Sequence, residues 1–270
     1  MDMNLVINAI KAEMKPSMGC TEPVALALAV SRTCEHLDAP TQKLEMLISS
    51  NIFKNAYSVQ IPNAGTDGIE LACVLGMLLS KPGNTMEICA GIKPEHVEKA
   101  KKLVAEGFVH VKVLKSSQFY IECTATDGKD TVHTITEDEH DNLVFCEKNG
   151  EVLLDKRVKK EAVESEEKEG TFDVTKHTFS EFYNWANEVD VADLQFIKEA
   201  IDINMEIAKK GMEKKYAFGV GPTVQNLLEK GMLKADVVTA VRSIPAAAAD
   251  FRMSGGNGSV MTFCGSGNQG

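Results

Sequence analysis

The chain of 270 residues carries 29 Lys and Arg against 39 Asp and Glu, for a net charge of −10. With 44% hydrophobic and 25% charged residues it reads as a globular protein with room for one large or two ordinary cores. The acidic balance argues against a nucleic-acid partner, which needs clustered Lys and Arg. No run of about 18 apolar residues offers a membrane span. The start, Met1-Asp-Met-Asn-Leu-Val, lacks the basic and apolar regions of a secretory signal, so a cytoplasmic location is expected.

Apolar spacing predicts amphipathic helices over 3–14 and 22–37, separated by a helix-breaking loop from Pro16 to Pro23. Leu44 to Ser49 reads as a strand. It leads through Asn51-Ile-Phe-Lys-Asn-Ala56 into an alternating strand, Tyr57 to Pro62, and then a loop from Asn63 to Gly68. Helices are predicted over 69–79 and 94–107, the second with proline in its first turn and glycine past its end. From 109 to 154 the pattern is strand and turn, with hairpin signals at Asp127-Gly-Lys-Asp130 and Lys148-Asn-Gly-Glu151. The charge-dense stretch 155–170 reads as a linker or a solvated helix. Helices follow over 179–189, 191–210, 222–230 and 234–242, and 246–258 grades from helix into glycine loop.

Seven cysteines, an odd count without a C-x-x-C pair, rule out a disulfide scaffold. Cys34, Cys73 and Cys89 lie in apolar or helical runs, and Cys123 and Cys146 in strand-like ones; all five read as core residues. Cys20 differs, because it sits in a loop just before Thr21 and Glu22, which look like a helix cap and first turn. The helix dipole favours a thiolate there, suited to a metal or to nucleophilic work. A buried thiol in a turn is the plain alternative. Cys264 opens Cys264-Gly-Ser-Gly-Asn-Gln-Gly270.

That last segment contains a G-x-G-x-x-G spacing (Gly265, Gly267, Gly270). It lacks the following helix and acid of a dinucleotide site, and the Lys-Ser/Thr of a phosphate loop. Its bare N–H groups, with Ser266, Asn268 and Gln269, suit a small carboxylate, or else form a turn with no ligand. Lys54 and Asn55 fall between two predicted strands, where a lysine is either simply exposed or a positioning group. Arg252 can pair with a substrate carboxylate or with Asp250.

Taken together, Gly19-Cys-Thr-Glu-Pro23, Lys54-Asn55 with Ile61-Pro62, Asp250-Phe-Arg-Met253 and Gly265-Ser-Gly-Asn-Gln-Gly270 resemble the L-cysteine desulfidase family. That family is related to the iron–sulfur L-serine dehydratase α-chain, and the resemblance runs from the first helix to the last residue. It implies a 4Fe-4S cluster held by three cysteines with one iron open, acting as a Lewis acid in β-elimination from L-cysteine or L-serine.

Carried over, Cys20 resembles the first ligand and Cys264 a second. A third is expected beyond residue 270, in a longer protein than this chain. The same resemblance assigns Lys54 and Asn55 to catalysis, and Arg252, Ser266, Gly267 and Asn268 to the substrate. Two other readings stay open: pyridoxal phosphate on Lys54 with the glycine loop cradling its phosphate, and a catalytically inactive binding or regulatory module of the same fold. The expected fold is α+β. Helices in 1–40 pack with a helical, glycine-rich domain, 173–270, that carries the site, and 41–172 forms an inserted mixed α/β domain with the charged linker 155–170. The implied partner is a small amino acid, and a homodimer is compatible with the resemblance.

Overall fold

The structure, a computed structural model, describes residues 2–157, 172–264 and 266–267. Helix α1 (Met3–Glu13) starts where the Asp2 carboxylate accepts hydrogen bonds from the N–H groups of Asn4 and Leu5. It runs directly into strand β1 (Met14–Met18). The expected Pro16–Pro23 loop is therefore strand over 16–18 and helix from Thr21, which leaves only Gly19 and Cys20 as the connection. The short strand tolerates Pro16 because it belongs to a two-stranded ribbon, pairing antiparallel with β8 (Ser259–Phe263) from Met14↔Phe263 to Met18↔Ser259.

Helix α2 (Thr21–Cys34) is apolar on almost every side, so it belongs inside the molecule. It lies between helix α4 (Ile69–Leu78) and a six-stranded sheet of order β3-β2-β4-β5-β6-β7. Strand β2 (Lys43–Ser49) pairs in parallel with β3 (Val109–Leu114), across a connection holding α3 (Ser50–Ala56), α4 and α5 (Pro94–Ala105). Strands β4 (Tyr120–Thr126), β5 (Thr131–Glu137), β6 (Leu143–Lys148) and β7 (Glu151–Asp155) continue antiparallel; the β4–β5 and β6–β7 turns fall at the two predicted hairpin signals, and the β5–β6 turn, 138–142, carried no such signal.

Alternate residues of β2 and β4 (Leu44, Met46, Ile48; Ile121, Cys123, Ala125) meet Val24, Leu26, Leu28, Leu75 and Cys73 in one core. Each fully buried Leu or Ile there contributes about 1.5–3 kcal/mol. The buried hydroxyl of Thr33 donates to Ala29 O and accepts from Thr134, which ties α2 to β5.

The remaining α-helices among the described residues are α6 (Phe179–Glu188), α7 (Gln195–Glu213), α8 (Val220–Glu229) and α9 (Val237–Met253). Asn204 on α7 bonds the backbone of Met261 in both directions, which holds β8 against the helix. Two helix pairs touch backbone to backbone. A Cβ at Gly76 would lie 2.1 Å from Ala27 O, and one at Gly211 would lie 2.1 Å from Ala247 O. So α2 shares its core with α4 and the sheet, and the N-terminal segment reaches the late helices through β1 and through Lys11, which sits over Phe196.

Several boundaries differ from the sequence reading. Residues 57–62 form no strand: Ile61 N–H bonds Thr66 O and Ala64 N–H bonds Ile61 O, so the apolar residues there serve a tight turn. Lys54 and Asn55 lie on helix α3, whose spacing buries Ile52 and Ala56. Helix α9 starts at 237, where Asp236 caps it, and runs through Pro245, whose exposed position leaves the freed carbonyl of Val241 to water. Most of the charged 155–170 stretch lies outside the described residues. Among those described, no helix is long and apolar enough to cross a membrane.

Candidate active site

The chain turns from β1 into α2 at Gly19, whose φ of +63° is readily adopted by glycine. Pro62 packs onto it so closely that a Cβ at Gly19 would lie 2.3 Å from Pro62 Cγ. The next residue, Asn63, donates its backbone N–H to Gly255 O and its side-chain Nδ2 to Cys89 O at 3.1 Å. The Ile61-Pro62-Asn63 turn thus holds the loop before Cys20 against the end of α9.

Cys20 occupies the N-cap of α2 and is buried. Its thiol donates to Glu22 Oε2 at 3.3 Å, and the same oxygen accepts from Thr21 Oγ1 at 3.2 Å. Glu22 Oε1 accepts from Asn55 Nδ2 at 3.0 Å, joining α3 to α2. Burial first, and the Glu22 carboxylate second, push the Cys20 thiol up to about 12, against the opposing pull of Arg252. Desolvation and the Glu22 charge thus work against the thiolate that the helix dipole favours. For Glu22, burial works against the charge. Hydrogen bonds from its own backbone N–H, Cys20 and Asn55 outweigh it and hold the carboxyl below its usual range.

Arg252, near the C-terminus of α9, is 6% exposed, and its charge is felt by both Cys20 and Glu22. Gly267 closes on it: a Cβ there would lie 2.1 Å from Arg252 Nη1. One cavity of about 450 Å³ gathers these groups, lined by Cys20-Thr21-Glu22, Lys54-Asn55 and Val59, Arg252-Met253, and Ser266-Gly267. Six of the residues singled out in the sequence therefore share one wall, from four separate segments. Lys54 is exposed at its edge. Asn268 lies outside the described residues.

Cys264 faces elsewhere. It lines an adjoining cavity of about 210 Å³ with Glu13, Lys15, Ser17 and His140, and Thr21 is common to both spaces. Its backbone N–H bonds Glu13 O, and it is exposed. Among the described residues no group of three or more His, Cys, Asp or Glu is placed to hold a metal ion.

Two residues gain a place here that the sequence did not offer. Glu22, read only as part of a helix start, is the hub of the Cys20–Thr21–Asn55 contacts. His140 packs against Phe119 with the rings tilted by 58° (centroids 4.7 Å apart), and its electrostatic partner is Glu22. Burial lowers the His140 pKa, although Glu22 and its acidic neighbours Asp141 and Glu139 pull the other way. Its loop is pinned by Lys15 Nζ on Glu139 (2.7 Å) and Asp141 (3.2 Å), and by Arg32 Nη1 on Asp141 O (2.5 Å). Nothing local in the sequence links residue 140 to residue 22. An acid two residues after a cysteine at a helix start was the available signal for Glu22.

A guanidinium and a carboxylate on one small cavity, with a neutral thiol beside them, present the two opposite charges that a small zwitterion would pair with. A family model for the serine dehydratase alpha chain matches residues 83–270, well over half of the chain. A UPF0597 protein of Oleidesulfovibrio alaskensis is 34% identical over 98% of this chain and 61% of its own length. Similar proteins of Porphyromonas gingivalis (34%; 98% and 62%) and Geobacter sulfurreducens (34%; 99% and 62%) also match. This chain thus spans about six-tenths of the length of these relatives. No solved structure matches it. The chain belongs to the serine dehydratase alpha chain family.

Proposed function

We propose that this protein eliminates the β-substituent of a small L-amino acid, releasing hydrogen sulfide from L-cysteine or water from L-serine; the aminoacrylate that remains tautomerises to the imine, which a water molecule hydrolyses to pyruvate and ammonia. The observation that carries this reading is the convergence of Cys20, Glu22, Asn55 and Arg252 on one cavity. Arg252 pairs with the substrate carboxylate and Glu22 with its ammonium, which fixes the α-carbon between them. Asn55 keeps the Glu22 carboxylate aimed, and Lys54 at the rim is the base or positioning group. Acidic net charge and a small cavity support an amino-acid partner rather than a nucleic acid.

Kinship with iron–sulfur serine dehydratases suggests a 4Fe-4S cluster as cofactor. The described residues do not make up its donor set: Cys20 alone lines this cavity among the cysteines, and Cys264 lines the neighbouring one. The steps assigned here are therefore confined to binding and orientation by the chain's own side chains.

The test is an anaerobic assay of the protein supplied with iron and sulfide, measuring pyruvate from L-cysteine and from L-serine. Replacing Arg252 with Gln removes a charge-assisted pair of about 1.5–3 kcal/mol, so kcat/KM should fall roughly tenfold to more than a hundredfold. Absence of pyruvate from both amino acids, or an unchanged kcat/KM in Arg252→Gln, overturns the reading.

A further inference from the structure

The late helices expose apolar surface on a scale that the rest of the molecule does not. Along α9, Val237, Val241, Ile244 and Ala248 recur at helical spacing on one face, with Val237 77% and Val241 64% exposed. Ile244 and Ala248 of that stripe line a groove shared with Ile201, 55% exposed, and Met205 on α7, and Val241 and Val237 carry the stripe about one and two turns beyond the groove's lining. Between the two helices runs a groove of about 370 Å³, with apolar walls formed by Ile201, Met205 and Ala208 on one side and Ile244, Pro245 and Ala248 on the other. Single exposed apolar residues are ordinary, but a contiguous apolar groove marks a surface that is covered in the working protein.

The comparisons bear on what covers it. The relatives match 98–99% of this chain yet only 60–62% of their own length, so about two-fifths of each relative is further polypeptide. The family match includes both helices of the groove. A stripe at i, i+4, i+7 and i+11 beside a second helix is the receptor half of helix-in-groove packing, in which an amphipathic helix lays its own apolar positions between the walls.

We propose that the α7–α9 groove seats an amphipathic helix from the part of the family polypeptide that the relatives carry outside their match to this chain. The groove ends at Arg252 and Gly267, which also line the candidate active site. The docked helix therefore abuts the guanidinium and completes that wall. The proposal holds whichever amino acid the site processes.

The experiment titrates the purified chain with the unmatched stretch of the Oleidesulfovibrio alaskensis relative, produced as a separate polypeptide. Binding is followed by calorimetry and sedimentation, and groove exposure by an apolar fluorescent dye. A one-to-one complex should form and displace the dye. Val241→Asp and Ile201→Asp should each weaken binding at least roughly tenfold, since each sets a charge in an apolar contact. Both side chains are more than half exposed, so unchanged circular dichroism should show the fold intact. Tyr183→Ser, exposed on α6 and outside the groove lining, should leave binding unaltered. Failure to form a complex, binding indifferent to both groove substitutions, or self-association of the chain through this face that Val241→Asp abolishes would each overturn the proposal.

Discussion

Replacing Gly19 with Ala tests whether the loop before Cys20 is held by shape. Two costs fall on this substitution. The backbone at φ +63° is left-handed, which disfavours a residue with a Cβ by about 1–2 kcal/mol. The new Cβ would also sit 2.3 Å from Pro62 Cγ, and because Pro62 is buried with a ring that cannot rotate away, overpacking adds about 1–3 kcal/mol. The sum, about 2–5 kcal/mol, should lower Tm by roughly 4–20 °C at the 2–4 °C per kcal/mol typical of chains this long. Pro62→Ala separates the two costs, because it removes the Cγ while leaving the backbone of residue 19 unchanged. In a double-mutant cycle, the pair should be less destabilised than the sum of the singles by about the steric share, 1–3 kcal/mol. Calorimetric melts of the four proteins measure this directly. Additivity within about 0.5 kcal/mol, or a neutral Gly19→Ala, would show that Pro62 does not brace this turn.

Further outcomes are expected elsewhere. Asn204→Leu strands the N–H and C=O of Met261, at about 1–3 kcal/mol per orphaned group; hydrogen exchange in β8 should accelerate, and unchanged protection there would contradict the bond assignment. In the metal-free chain at pH 8, iodoacetamide should modify the exposed Cys264 well before the six buried thiols, with the fast phase lost in Cys264→Ser; a second fast site on peptide mapping would contradict the burial of Cys20. The Asp236 carboxyl is held below its usual range chiefly by the N–H of Thr239. A depressed pKa stabilises the fold above the unfolded value, about 3.9, and that support is lost as pH falls through the lower folded value. Amide protection in the first turn of α9 should therefore decline below about pH 4, and Asp236→Asn should remove that dependence. A decline that persists in Asp236→Asn would place its origin elsewhere.

The parts of this fold legible in the sequence were those decided by neighbours along the chain. Asp127-Gly128 and Asn149-Gly150 turn the chain whatever surrounds them, and the apolar runs of α2 and α4 demand burial. Strand β1 was not legible: a five-residue segment containing Pro16 becomes a strand only because Ser259–Phe263 lies beside it. Tyr57–Pro62 shows the converse, an alternating pattern with no partner strand, which folds as a turn. Cys20, Asn55 and Arg252 stood out as motifs, and the structure gathers them. His140 did not, since its place beside Glu22 depends on the salt links from Lys15 and on Phe119. The protonation of Cys20 also escaped local reasoning, because desolvation is a property of the packed interior.

The ribbon pairing Met14 with Phe263 imposes an order on biogenesis. At about 5–20 residues per second, a ribosome finishes β1 many seconds before β8 exists. The entropic toll of so wide a closure rises only logarithmically with length, so the final zippering is late without being unfavourable. During that interval the α2–α4 core can consolidate while Cys20 still lacks its roof of Arg252 and Gly267. The Cys20 thiol is thus most open to oxidants in the newborn chain, which makes the surroundings at synthesis as consequential as those in which the mature protein operates.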